Sequence, residues 1–166
     1  MRVEAANSLF SAKPIELPWK SADGERFLDL RQDASQVARI GAAREYPPLG
    51  TLLIAINGDS SIFESTRAKV WQTQATTGVD LCEFHSRVEL ALRYEQLRNS
   101  TEHAEDAMRR LVDLWMRESS ADSVSLKIEL LPCKFVLSGH TGAAIRIEVI
   151  ARGHLELFLL RAVDAH

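Results

Sequence analysis

Cysteine is scarce in this chain. There are two in 166 residues, Cys82 and Cys133, and they share no CxxC spacing. That excludes a disulfide framework and a four-cysteine zinc site. Long apolar runs are missing as well. The longest aliphatic stretch, Leu52 to Ile56, is five residues, against the roughly 20 that span a bilayer. The first ten residues place Glu4 and Asn7 where a signal peptide needs apolar side chains. The expectation is a soluble, cytoplasmic protein with no membrane partner. An excess of one charge is also lacking. Twenty basic and 23 acidic residues leave a net charge of -3, and each third of the chain is close to balance. With no basic patch, binding to nucleic acid has no electrostatic support. Catalytic signatures are missing too. The serines fit no nucleophile elbow, and Gly139-His140-Thr141-Gly142 leads into a strand, not into the helix start that would cradle a phosphate. No cofactor or metal is expected.

What is present is an ordinary globular composition, 46% hydrophobic and 26% charged, with enough residues for a sizeable core. Residues 1–166 are expected to form a single domain. Ile15 to Lys20 and Glu25 to Arg31 read as short strands around the turn Ser21-Ala22-Asp23-Gly24. Residues 32–46 fit a short helix or a loop equally. Pro47-Pro48 is expected to block both helix and central strand. Thr51 to Ile56 and Ser61 to Gln72 flank Asn57-Gly58-Asp59, a strong hairpin signal. Asp80 with Glu83 reads as a capping box. It would open a helix whose buried stripe is Leu81, Phe84, Val88, Ala91 and Leu92, with Glu83–Arg87 and Glu89–Arg93 as i,i+4 pairs. A second helix follows Asn99-Ser100-Thr101, with Ala104, Met108, Leu111 and Trp115 on one face. The remaining 44 residues read as a β-meander: Val124 to Leu130, interrupted at Pro132, then Lys134 to Leu137, a loop at 138–142, the strand around Ile145 to Val149, a turn at Ala151-Arg152-Gly153-His154, and Leu155 to Leu160. Strands, two helices and strands make the class α+β, an antiparallel sheet packed against two central helices.

Few residues suggest chemistry. Cys82 and His85 lie three apart at the expected helix start, where a thiol pKa is lowered. Their apolar neighbours favour an inert, half-buried thiol. His140 and His154 fall at opposite ends of one expected strand, more than about 25 Å apart at ~3.3 Å per residue, too far for a shared metal site. The second face of the 61–72 strand carries Arg67, Lys69 and Trp71, a mixture suited to an interface with an aromatic anchor. Glu102, Glu105 and Asp106 open the second helix and would steer a basic partner. For each patch alone, a Trp covering the sheet and a solvated helix start are the plainer readings.

Two short patterns, Asp80-Leu81-Cys82-Glu83-Phe84 and Gly153-His154-Leu155-Glu156-Leu157, sit in a strand–helix–strand layout. That layout resembles small bacterial immunity proteins of polymorphic and contact-dependent toxin systems. The resemblance implies a protein that occludes a cognate toxin domain and has no chemistry of its own. It transfers no binding residue. A charge of -3 is mild beside the strongly acidic inhibitors of many nucleases, which points away from a nuclease target. Two other readings stand beside it. One is a small enzyme or ligand-binding domain whose pocket residues converge only in the fold. The other is a homodimer or larger homo-oligomer using an exposed sheet edge.

Overall fold

The structure is a computed structural model that describes residues 2–17, 19–20, 27–74, 81–118, 124–136 and 139–154. Four short strands come first: β1 (Arg2–Asn7), β2 (Ile15–Leu17), β3 (Trp19–Lys20) and β4 (Phe27–Leu28). A 3-10 turn (Ala34–Arg39) leads into α1 (Gly41–Glu45) and α2 (Pro47–Asn57). Then come β5 (Phe63–Gln74), β6 (Leu81–Leu92), α3 (Glu95–Arg98), α4 (Thr101–Glu118), β7 (Val124–Phe135) and β8 (Thr141–His154). The class is α+β, as expected. The six-stranded sheet has the order β1-β7-β8-β6-β5, and β2 also pairs with β7. Its four long strands pair antiparallel. β1 and β2 run parallel to β7, one along each half of it. β3 and β4 form a separate two-stranded ribbon. The turn expected at 21–24 lies outside the described residues.

Several expectations are corrected. Thr51 to Ile56 is not a strand but the body of α2. Pro47 and Pro48 do not block that helix; they start it, at positions whose N–H groups have no intrahelical acceptor to lose. Asn57-Gly58 therefore ends a helix instead of turning a hairpin. Arg93 donates to the carbonyls of Asn57, Gly58 and Asp59, satisfying oxygens a helix end leaves unpaired. Leu81 to Leu92 is not a helix but β6, the hairpin partner of β5. The sheet therefore packs against α1, α2 and α4, with only one of the two expected central helices present. Asp80, its expected cap, lies outside the described residues. Finally, Pro132 does not interrupt β7, and Ala151 to His154 is the end of β8, not a turn.

One face of the sheet carries the main core. Val88, Leu90 and Leu92 of β6, Ile128 and Leu130 of β7, and Ala143 and Ile145 of β8 pack beneath Ala43, Leu49, Leu53, Ala104 and Ala107 of the helices. The expected stripe of α4 holds. Ala104 is buried, Met108 and Leu111 pack on the core, and Trp115 lines an apolar groove of about 270 Å³ with Leu126, Ile128 and Ile147. Phe84 reaches the core side from a strand and meets Tyr46 edge-on, with ring centroids 5.1 Å apart. On the opposite face a smaller cluster, Ile15, Leu17, Ala91, Leu131, Cys133, Phe135 and Ala144, fills one end. Burial there pushes the Cys133 thiol up to about 12, so it stays protonated.

Among the described residues no helix is long and apolar enough to cross a membrane. Two substitutions check the packing by thermal or denaturant unfolding. Leu53 is fully buried, and Leu53→Ala should cost about 2–5 kcal/mol. Were Leu53 on a half-exposed hairpin strand, the loss would be well under that. A Cβ on Gly142 would stand 2.5 Å from the Arg98 carbonyl, so Gly142→Ala should cost about 1–3 kcal/mol through forced displacement of backbone.

Candidate functional site

The rest of the second sheet face is mostly polar, with Ile150 of β8 as a buried apolar member opposite His85, and strand alternation puts it there. On β6 the odd residues Glu83, His85, Arg87 and Glu89 point to it, while Cys82, Phe84, Val88 and Leu90 point to the core side. Cys82 and His85 are therefore on opposite faces, and the nucleophile pair suggested by their spacing does not form. On β8 the face carries Arg146, Glu148 and Arg152. On β7 it carries Lys127 and Glu129. β5 reaches it through an irregularity. The register shifts between Ser65 and Arg67, so that Glu64 and Arg67, three residues apart, both lie on this face. Thr66, the extra residue of the bulge, is buried and donates its hydroxyl to the Glu89 carbonyl. Asn57 closes the same spot, donating to the Ser65 hydroxyl and accepting from the Ser65 N–H.

The register between strands sets acids opposite bases. Glu89 faces Arg146, Arg87 faces Glu148, Glu83 faces Arg152, and Lys127 faces Glu148 from the other side. Contacts follow these pairs. Arg146 holds Glu89 at 2.7 Å and Glu129 at 3.3 Å. Arg87 grips one Glu148 oxygen through Nη2 at 2.6 Å and Nε at 3.0 Å. Arg152 Nε donates to Glu83 at 2.7 Å. Glu89 is only 2% exposed and Glu148 9%, so these pairings offset a real desolvation cost. Burial pushes the Glu148 carboxyl upward, but hydrogen bonds and charge from Arg87 and His85 outweigh it and hold the group below its ordinary value. At the far end of the sheet Glu64 is the reverse. There burial prevails over Arg98 and Arg31, and the carboxyl is raised.

His85 is the centre of the β5 side. Its Nδ1 lies 3.1 Å from Glu148 Oε1 and its Nε2 3.2 Å from Thr73 Oγ1. Its ring stacks on Trp71 with centroids 4.8 Å apart and planes 12° from parallel. The Trp71 ring also meets Arg87 at 4.9 Å and Lys69 at 5.2 Å, both within cation–π range. Hydroxyl, imidazole and carboxylate thus form a hydrogen-bonded chain in the order of nucleophile, base and orienting acid. The acid, however, is already neutralised by Arg87. It has little charge left to stabilise an imidazolium, the task such a carboxylate performs in catalysis.

The residues singled out in the sequence separate into two places. Arg67, Lys69 and Trp71 share the polar face on β5, and Lys69 and Arg67 are exposed. Glu102, Glu105 and Asp106 start α4, which packs on the opposite face. Glu105 accepts from Asn7 of β1, at the edge farthest from β5. Asp106 pairs with Arg110 at 2.8 Å and with Arg109 at 3.6 Å. Arg87, Glu148 and Thr73 are not among the residues the sequence singles out, and His85 is singled out there only as a partner for Cys82. Their signal was the alternation of polar side chains along Glu83 to Glu89, legible only once the segment is taken as a strand. Among the described residues no three His, Cys, Asp or Glu side chains gather in a metal-binding group. Compared with known protein families, with curated proteins and with solved structures, the chain matches none.

The Glu148 pairing gives a pH signature. Its lowered carboxyl stabilises the fold fully above the ordinary value of 4.5 and loses that contribution as pH falls through the folded value. Melting temperatures of wild type and Glu148→Gln should therefore lie apart at pH 7 and converge below pH 4.5. Parallel curves across that range would show that Glu148 does not titrate as an ion-paired acid.

Proposed function

We propose that this chain is a non-enzymatic binding protein acting by contact, of the immunity type, which occludes a cognate toxin domain, and that the β5 side of the polar face is its contact surface. One observation carries the reading. The inner strands match each acid to a base, whereas β5 presents Arg67, Lys69 and Trp71 on its outer flank with the cations in surplus. Lys69 meets the Trp71 ring and, among the described residues, no carboxylate within ion-pair distance. Arg67 Nε stands 3.7 Å from Glu89 Oε2, an oxygen with no hydrogen-bond partner among the described residues, while Arg146 holds the other oxygen. An aromatic side chain ringed by arginine and lysine is a common centre of protein interfaces. The immunity assignment itself rests on the two sequence patterns. Of the first, Asp80 to Phe84, the described residues Leu81 to Phe84 start a strand instead of a helix, and the second runs from the end of β8 beyond the described residues.

The acidic start of α4 lies on the other face and at the other edge, so a flat partner seated on β5 does not reach it. The test is affinity capture with tagged protein. Wild type and the Glu102/Glu105/Asp106 charge reversal should retain a partner, while Trp71→Ala and Arg67→Glu should lose it. The immunity reading further requires that the captured protein arrests growth when produced alone and not when produced with this chain. Equal capture by all variants, or no capture at all, would overturn the contact surface.

A second reading is favoured by the Thr73–His85–Glu148 chain alone: a small hydrolase with Thr73 as nucleophile. It requires turnover of an activated ester such as p-nitrophenyl acetate, abolished in both Thr73→Ala and His85→Ala. Turnover unchanged in either variant rejects it.

A further inference from the structure

We infer that the outer edge of β5 takes up an extended acidic segment of a partner protein as an added β-strand; this deepens the reading of the chain as a contact protein and rests on it. β5 is twelve residues long and ends the sheet. Among the described residues its only strand neighbour is β6. Such an edge presents unpaired N–H and C=O groups, which recruit a further strand.

The charges on β5 choose the occupant. A second copy of this chain, related by a two-fold axis normal to the sheet, would keep each face on its own side. The registers that overlap the two strands most fully are centred on Ala68 or on Lys69. The first sets Arg67 against Lys69 of the other copy, and the second sets Lys69 against itself. Directly opposed like charges destabilise a strand pair. A basic segment meets the same repulsion. An acidic one does not, because an added strand places its side chains about 5 Å from those directly opposite. Carboxylates at two alternate positions would then face Lys69, which has no carboxylate within ion-pair distance among the described residues, and Arg67, whose ion pair with Glu89 spans 3.7 Å and leaves it half exposed. In an antiparallel arrangement the residue two places before the first acid faces Trp71, whose ring suits an apolar or aromatic side chain. The partner segment therefore reads apolar-x-acid-x-acid. The bulge at Ser65 and Thr66 limits the regular edge on the other side, since Asn57 takes the Ser65 N–H.

The probe is a blocked synthetic peptide in which valine, glutamate and glutamate alternate with threonine. Its counterparts carry lysine for glutamate, or a central proline in place of threonine with the acids retained. Amide chemical shifts and amide hydrogen exchange are followed on the full chain. The glutamate peptide should slow exchange at the alternate, outward-facing amides among residues 67–73 and weaken with added salt. Lys69→Glu, at an exposed position with an unchanged melting temperature, should weaken it by about tenfold or more. The proline peptide should not bind. The inference is overturned if millimolar glutamate peptide protects no β5 amide, if the lysine peptide binds as well, or if the free protein is a dimer with these amides already protected. The last outcome would make the edge a self-interface, and the first would leave Arg67 and Lys69 as charges that merely guard it. A captured partner that needs Trp71 but protects no β5 amide rejects strand addition while the contact reading stands. Peptide binding at β5 with no partner captured from cells rejects the contact reading instead.

Discussion

Glu89 and Glu148 are carboxylates sunk into the face of a sheet, and a buried carboxylate without a cation costs several kcal/mol. Each is held by an arginine on the strand beside it, Arg146 and Arg87 respectively. These pairs exist only in one register of β6 against β8. A slip by one residue would turn every side chain to the other face. A slip by two in one direction sets Glu89 against Glu148, and in the other direction it sets Arg87 against Arg146. Hydrophobic alternation alone does not separate registers that differ by two. The charges do, and the core on the opposite face inherits the result: Val88 meets Ile147, and Leu90 meets Ile145.

The same rule explains where the face is closed and where it is open. The inner strands have neighbours on both sides, so each acid finds its base within the sheet. Among the described residues β5 has a strand neighbour on one side only. Its cations lack a second row of acids, and Trp71, its aromatic residue on this face, rests on His85. The bulge at Ser65 and Thr66 produces this asymmetry locally. Were the strand to alternate regularly through Thr66, Arg67 and Lys69 would turn toward the helices. With the bulge, Glu64 stays near Arg98 and Arg31 while the following residues join the polar face.

Several elements were legible because one signal dominated. Val124 to Leu130 and Ile145 to Val149 alternate strictly, and α4 repeats its apolar residues at helical spacing beneath an acidic first turn. β6 was misread because its signals coincide. Phe84, Val88 and Leu92 are spaced by four, which places them on one side of a helix and equally on one side of a strand. Leu81 and Ala91 tilt the pattern toward a helix, whereas the polar alternation from Glu83 to Glu89 fits only a strand. α2 was misread for a different reason. Its apolar run shows no clear period, and Asn57-Gly58 is as suitable for ending a helix as for turning a hairpin. The decisive groups, Arg93 capping the helix end and Ser65 on Asn57, come from just past the end of β6 and from β5. The cluster at His85 was illegible for the same reason, since Trp71, Thr73, Arg87 and Glu148 lie on three strands.

The sequence by itself determined the class, the strand character of β5, β7 and β8, the helix α4 with its buried stripe, and the near balance of charge. These follow from local periodicity and from composition, which need no partner segment to be read. Only the tertiary structure decided that Leu81 to Leu92 is a strand, that Pro47 to Asn57 is a helix, and that Arg67, Lys69 and Trp71 share the sheet face of His85 while Glu102, Glu105 and Asp106 lie on the far side. The reason is physical. A segment whose pattern fits two periods settles into the one that buries its apolar side against a neighbour and gives its charges partners, and both neighbour and partners are distant along the chain.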